Sequence, residues 1–329
     1  TLGNNDNVPS TIQIEGTGTL DSSPAFDLGT GGQRLIYSNA GTRSIGPELN
    51  PARQLTGLTN ELSAGTLSFT GGDITLNGTL NISIGMIDTG SDRLLHLTGD
   101  AFRTTGFIKG TLVRRFTDSN PTYSFFVGDN HFARVQIIAS SVTGSADVAV
   151  TPHDVTLAGL PPATSASFSW DVAQTGTMTS SMALNYDDSD VNGSESSYRA
   201  YRSTAGSPVV VASTVSAVNN IVTASGVTDL TAGWGISERP PPISIGGSVL
   251  TSGGSGIRNA ILTLTGGNLA SPRVVQTGSL GTYNFSGVDA GLQYTITVSA
   301  KRNRFTPPSQ VVTSMTSVTD LNFTANPQE

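Results

Sequence analysis

The stretch Thr75-Leu76-Asn77-Gly78-Thr79-Leu80-Asn81-Ile82 decides how this chain is read. Leu80 and Ile82 alternate with Thr79 and Asn81, which is the two-residue period of a half-buried strand, and Asn77-Gly78 supplies a break. The pattern extends in both directions. Leu67 goes with Phe69, Ile74 with Leu76, and Leu95 with Leu97, while Gly71-Gly72, Gly78, Gly85 and Gly90 fall between the pairs. Through Leu80 the pairs recur every six or seven residues. A short β-solenoid over residues 55–104, each rung burying its apolar face on the next, accounts for this rhythm. A meander of tight hairpins is the alternative.

Alternation governs the rest of the 329 residues, and no long window holds apolar residues at helical spacing. The chain is expected to be all-β. Thr, Ser and Gly are dense and only 12% of residues are charged, a composition of many short strands joined by tight turns. Residues 1–54 read as an N-terminal arm, polar at its start and carrying one short strand, Thr11-Ile12-Gln13-Ile14-Glu15. Residues 105–236 read as a β-sandwich of short strands, among them Phe107–Phe116, Tyr123–Val127, Ala133–Ile138, Ala146–Val150, Ser165–Asp171 and Met178–Tyr186. Arg239-Pro240-Pro241-Pro242 ends a linker over 237–242, because three prolines take extended geometry and cannot pair in a central strand. Residues 243–329 follow with seven alternating segments, the pattern of an immunoglobulin-like seven-stranded sandwich.

Composition removes several functions. A net charge of −7 leaves no basic surface to neutralise phosphates, so nucleic acid is not an expected partner. With no Cys there are no disulfides, thiolate metal sites or Cys nucleophiles. No run approaches the ~20 apolar residues of a membrane span. The start at Thr1 without an apolar leader reads as a mature exported chain, with a trimmed one as the alternative. His96, His131 and His153 show no metal-site spacing, and no nucleophile motif accompanies them, so the chain is not expected to be an enzyme. The glycine runs at 29–32 and 253–256 open no helix and read as turns. Trp170 and Trp234 fall in strand segments and are expected in the core.

Two candidate sites remain. Asp188-Ser189-Asp190-Val191-Asn192-Gly193 matches the opening of a calcium loop, so Asp188, Asp190 and Asn192 are candidate ligands and calcium is the one cofactor the sequence offers. The twelfth position is Arg199 instead of Glu, and an Asp/Asn/Gly-rich hairpin loop explains the same residues. The second site is the N-terminal strand. Ile12 and Ile14 must pair with something, either within their own domain or as a strand donated to a neighbouring copy.

The residues of the last domain add a resemblance. Gly246-Gly247-Ser248-Val249-Leu250, Gly256-Ile257-Arg258-Asn259-Ala260-Ile261-Leu262-Thr263-Leu264, Gly281-Thr282-Tyr283-Asn284-Phe285 and Val288-Asp289-Ala290-Gly291-Leu292-Gln293-Tyr294-Thr295-Ile296-Thr297-Val298 resemble the carboxypeptidase regulatory-like family, over roughly a quarter of the chain. That resemblance implies a transthyretin-like sandwich serving as a spacer in exported and surface proteins, with no peptidase activity. Related pilin sandwiches form Lys–Asn bonds, but Lys301 is the only Lys in this domain and follows the strand ending at Ala300, so no such bond is expected. Residues 55–236 more loosely resemble segments of large bacterial surface proteins, through Thr75–Ile82, Gly106–Phe116 and Tyr123–Gly128. The combined expectation is a secreted structural subunit of a filament or surface layer, its partner being further copies of itself joined head to tail. A monomeric adhesin binding a glycan or protein is the alternative, or an accessory part of a larger secreted protein.

Overall fold

A computed structural model describes residues 2–3, 10–15, 26–27, 31–118, 121–267, 269–314 and 316–327. The polar opening at residues 4–9 and the first half of the glycine run at 29–32 lie outside them. The chain divides into two compact units, Thr1–Glu238 and Arg239–Glu329. The break falls inside the proline-rich stretch, where missing N–H groups stop strand pairing. Among the described residues no helix is long and apolar enough to cross a membrane.

In the first unit, β1 (Leu2–Gly3) and β3 (Phe26–Asp27) form a small parallel sheet of their own. Next to it in sequence, β2 (Ser10–Ile14), β4 (Gln33–Ala40), β6 (Gln54–Ser68), β7 (Ile74–Thr98) and β9 (Phe107–Phe116) stack in parallel. Short β5 (Arg43–Ser44) and β8 (Ala101–Arg103) join the same stack. Ile12, Leu35, Leu58 and Leu80 are register partners on one side, spaced 22 or 23 residues apart. Leu67, Ile87, Ile108 and Val127 form a second side, and Leu94 with Leu112 a third. This is a parallel β-solenoid whose coil takes about three short sides. The six- or seven-residue rhythm of the sequence is therefore the length of one side, not of one rung. Coil corners pack closely. Gly85 has φ +76°, and a Cβ there would sit 2.2 Å from the Leu62 carbonyl oxygen, so glycine is required.

The boundaries drawn at 54/55 and 104/105 do not coincide with breaks in the sheet. The arm region supplies β2 and β4, and the presumed sandwich supplies β9. At β9 pairing changes sense, because β11 (Val135–His153) runs antiparallel to it. β12 (Ser165–Asn185) follows on β11, then β17 (Ala232–Glu238), β13 (Tyr198–Ser203) and β14 (Val209–Val210). β10 (Thr122–Phe125) pairs with β11, and β15 (Ser213–Ser216) with β16 (Ile221–Val227), which itself pairs with β12. Together these make a fifteen-stranded sheet with β2 at one end and β14 at the other. β11 and β12 each merge two strands of the sequence reading, because register shifts at Ala139/Ser141 and Thr143/Asp147 carry the pairing through. Such bulges bend a strand without ending it. A continuous core runs through solenoid and antiparallel part alike, from Leu35 and Leu58 to Trp170 and Trp234.

The second unit is a seven-stranded sandwich, as the alternation implied. One sheet orders β21 (Thr282–Val288), β18 (Ile243–Leu250) and β24 (Phe323–Thr324). The other orders β20 (Arg273–Gln276), β19 (Ile261–Gly266), β22 (Gln293–Ser299) and β23 (Ser309–Thr313). Ile245, Val249, Leu262, Leu264, Phe285, Ile296 and Phe323 fill the space between them.

Candidate functional site

The N-terminal strand is paired within its own chain. β2 runs parallel to β4, with Ile12 opposite Leu35 and Ile14 opposite Tyr37. Both isoleucines are half-buried against the core. β2 ends its sheet, so one edge of its backbone has no strand partner among the described residues. Beneath it lies a buried polar network. Tyr37 Oη donates to Glu48 Oε1 at 2.5 Å and the Gly46 amide donates to the same oxygen at 3.0 Å. Gln33 Nε2 donates to the Glu48 carbonyl at 2.6 Å, and Asn50 Nδ2 to Gln33 Oε1 at 2.7 Å. Burial, followed by the neighbouring Glu48 carboxylate, pushes the Tyr37 phenol far up, so it keeps the proton it donates to Glu48. The network fixes the loop that closes the coil under the edge strand.

A second feature lies where the last coil meets the antiparallel sheet. His96 on β7 and Arg114 on β9 are register partners and both are buried. His96 Nε2 donates to the Gly78 carbonyl at 2.7 Å, and Nδ1 faces Arg114 Nη1. That assigns the neutral tautomer with its proton on Nε2. Burial, then the charge of Arg114, pushes the imidazole down to about 3. Arg114 Nη2 donates to the Gly99 carbonyl at 2.9 Å, its Cζ lies 3.9 Å from the Tyr123 ring centre, and its buried Nε has no partner. Arg114 and Tyr123 line a cleft of about 320 Å³ together with Asp100, Thr122 and Ser124.

The third feature is a cluster the sequence did not announce. Among the described residues, ligand atoms of His131, Asp154 and Asp190 lie within 4.8 Å of one another. His131 sits in the turn bridged by Gly128 and Phe132. A Cβ on Gly128 would stand 2.2 Å from the His131 carbonyl oxygen, which fixes glycine there. The imidazole packs on Phe168, ring centres 5.0 Å apart, and its Nε2 lies 2.9 Å from Asp190 Oδ2. Asp190 also accepts from the Asp187 amide on Oδ2 at 3.0 Å and from Ser167 Oγ on Oδ1 at 3.1 Å. Asp154, just beyond β11, accepts from Asn130 Nδ2.

The proposed calcium ligands are turned to three different partners. Asp188–Asp190 is a single 3-10 turn capped by Asp187. Asp188 Oδ1 accepts from Asn220 Nδ2 at 2.6 Å, Asp190 points inward to His131, and Asn192 Nδ2 donates to the Ser165 carbonyl at 3.0 Å. The segment runs between β12 and β13 and is followed by a second single 3-10 turn, Glu195–Ser197, not by the α-helices that flank a calcium-binding loop of this type.

No family model matches the chain, and no curated protein matches it. Among solved structures it is similar to the Bacillus anthracis TIE protein, at 12% identity and a TM-score of 0.23 over 62% of this chain. The match spans 34%, about a third, of that protein's length. It is also similar to a C-terminal fragment of the pilus adhesin SpaC from Lactobacillus rhamnosus GG, at 8% identity and a TM-score of 0.21, over 49% of this chain and 78% of that one. Likenesses at these scores carry no argument about what the chain does. Its own geometry defines it as an all-β solenoid-and-sandwich protein, with β2 as the end strand of the long sheet among the described residues.

Proposed function

We propose that the chain is a non-catalytic structural subunit of an extracellular surface assembly, and that copies add to one another at the free edge of β2. The observation that supports this is the position of β2. It is the last rung of a parallel stack, and the inward row of Ile12, Leu35, Leu58 and Leu80 runs up to it. Among the described residues no strand covers β2, and a solenoid end left so offers backbone groups and core side chains that favour another strand. The other end of the sheet is the different strand β14, so pairing of β2 with the β14 end of the next copy makes addition head to tail. The strand reading therefore changes from one donated outright to one that stays home and offers its outer edge. A chain without Cys suits an extracellular setting because it avoids mispairing. The three-plus-four sandwich of the second unit supports reading it as a carboxypeptidase regulatory-like spacer.

Gln13→Pro places a residue that cannot donate on the exposed strand β2 without uncovering β4, and is expected to weaken end-to-end association, measured by sedimentation of purified protein. A variant that sediments as the parent does would contradict the edge model. A second reading, capture of a glycan or protein ligand, draws on the cleft at Arg114 and Tyr123, where a buried cation and an aromatic face adjoin.

A further inference from the structure

We infer that His131, Asp154 and Asp190 form a binding site for a first-row divalent metal ion of the zinc type, which ties together three segments of the antiparallel sheet. The segments are far apart in sequence. His131 precedes β11, Asp154 follows it, and Asp190 follows β12. The bulged β11 doubles back far enough for its two ends to meet, and the β11–β12 ladder carries the 187–190 turn to the same place.

Charge is the second support. Asp190 is 1% exposed, yet among the described residues no Lys or Arg pairs with it or with Asp154. A protonated His131 would leave two carboxylates facing one positive charge. A divalent ion with neutral His131 balances the two carboxylates, and the fully buried Asp190 needs that balance most. The donor set of one imidazole and two carboxylates suits zinc, with a water as fourth ligand, better than calcium, which takes six to eight oxygens. The surroundings are built as an outer shell. Ser167 Oγ and the Asp187 amide orient Asp190, Asn130 holds Asp154, and Phe168 fixes the imidazole plane. A metal binding only the folded arrangement stabilises it, a role that disulfides cannot fill in a chain without Cys.

The test is calorimetric titration of the full chain, stripped with chelator, with zinc chloride alone. One equivalent is expected to bind. Asp154 is half-buried, so Asp154→Asn should fold as the parent does by circular dichroism, and loss of a direct ligand should weaken zinc binding by more than the roughly ten- to hundred-fold that an outer-shell change costs. His153→Gln is the control, because His153 pairs with Asp171 outside the cluster, and it should bind as the parent does. Absence of zinc binding would overturn the proposal and leave a His131–Asp190 ion pair. So would binding that persists undiminished in Asp154→Asn, or calcium binding where zinc fails. None of these outcomes bears on assembly through β2.

Discussion

Trp170→Ala is expected to lower the stability of the 1–238 unit by about 3–5 kcal/mol. Trp170 is fully buried on β12, directly opposite the equally buried Trp234 on β17. Phe168 lies against it with ring centres 5.3 Å apart, so truncation empties a space bounded by rings that cannot collapse into it. The indole Nε1 also donates to the Ala133 carbonyl at 3.1 Å, and losing that donor leaves a buried acceptor, at a further cost of about 1 kcal/mol. Both tryptophans of the chain lie in the first unit, so indole fluorescence in a urea titration reports that unit alone. In the variant Trp234 remains as the reporter. A midpoint shift with unchanged slope is the expected form. A midpoint within experimental error of the parent would mean that the two tryptophans are not at the centre of one core.

Acid is expected to destabilise the same unit through His96. Burial and Arg114 hold the folded imidazole down to about 3, against 6.5 for the free side chain. Between those values the unfolded chain takes up a proton that the folded chain refuses. The stabilisation from keeping His96 neutral is thus complete above pH 6.5 and is lost as pH falls toward 3. At about 1.4 kcal/mol per pH unit the loss across this window is on the order of 5 kcal/mol. Carboxylates add their own acid dependence, so the comparison is with His96→Gln. A glutamine can still donate to the Gly78 carbonyl and accept from Arg114, but it does not titrate. The urea midpoint of the variant should fall much less between pH 6.5 and pH 4 than that of the parent. Parallel pH profiles would show that His96 is not held neutral.

Local pattern exposed much of the fold. Alternation in 243–329 located all seven strands of the second unit, and Phe107–Phe116 matched its strand end to end. What escaped is non-local. The solenoid coil is about 20 residues long, but its corner glycines and apolar pairs recur at each side, so the shorter period dominated the sequence. The long strands β11 and β12 looked broken because bulges interrupt alternation while pairing continues. The candidate sites follow the same rule. His96 and Arg114 meet because they sit one coil apart, a relation visible only once the coil length is known. His131 and Asp190 are 59 residues apart and meet through a ladder that no motif encodes. Asp190 was legible as a candidate ligand from its loop chemistry. Its direction, inward to His131, comes from the capped 3-10 turn and was not legible.

The central claim is that copies of the chain assemble at the β2 end of the solenoid. Negative-stain electron microscopy of the native, cell-derived protein tests it most directly. Regular filaments or arrays with a repeat set by one chain are the predicted result. Dispersed single particles at all concentrations would contradict it, and would turn attention to ligands of the Arg114–Tyr123 cleft.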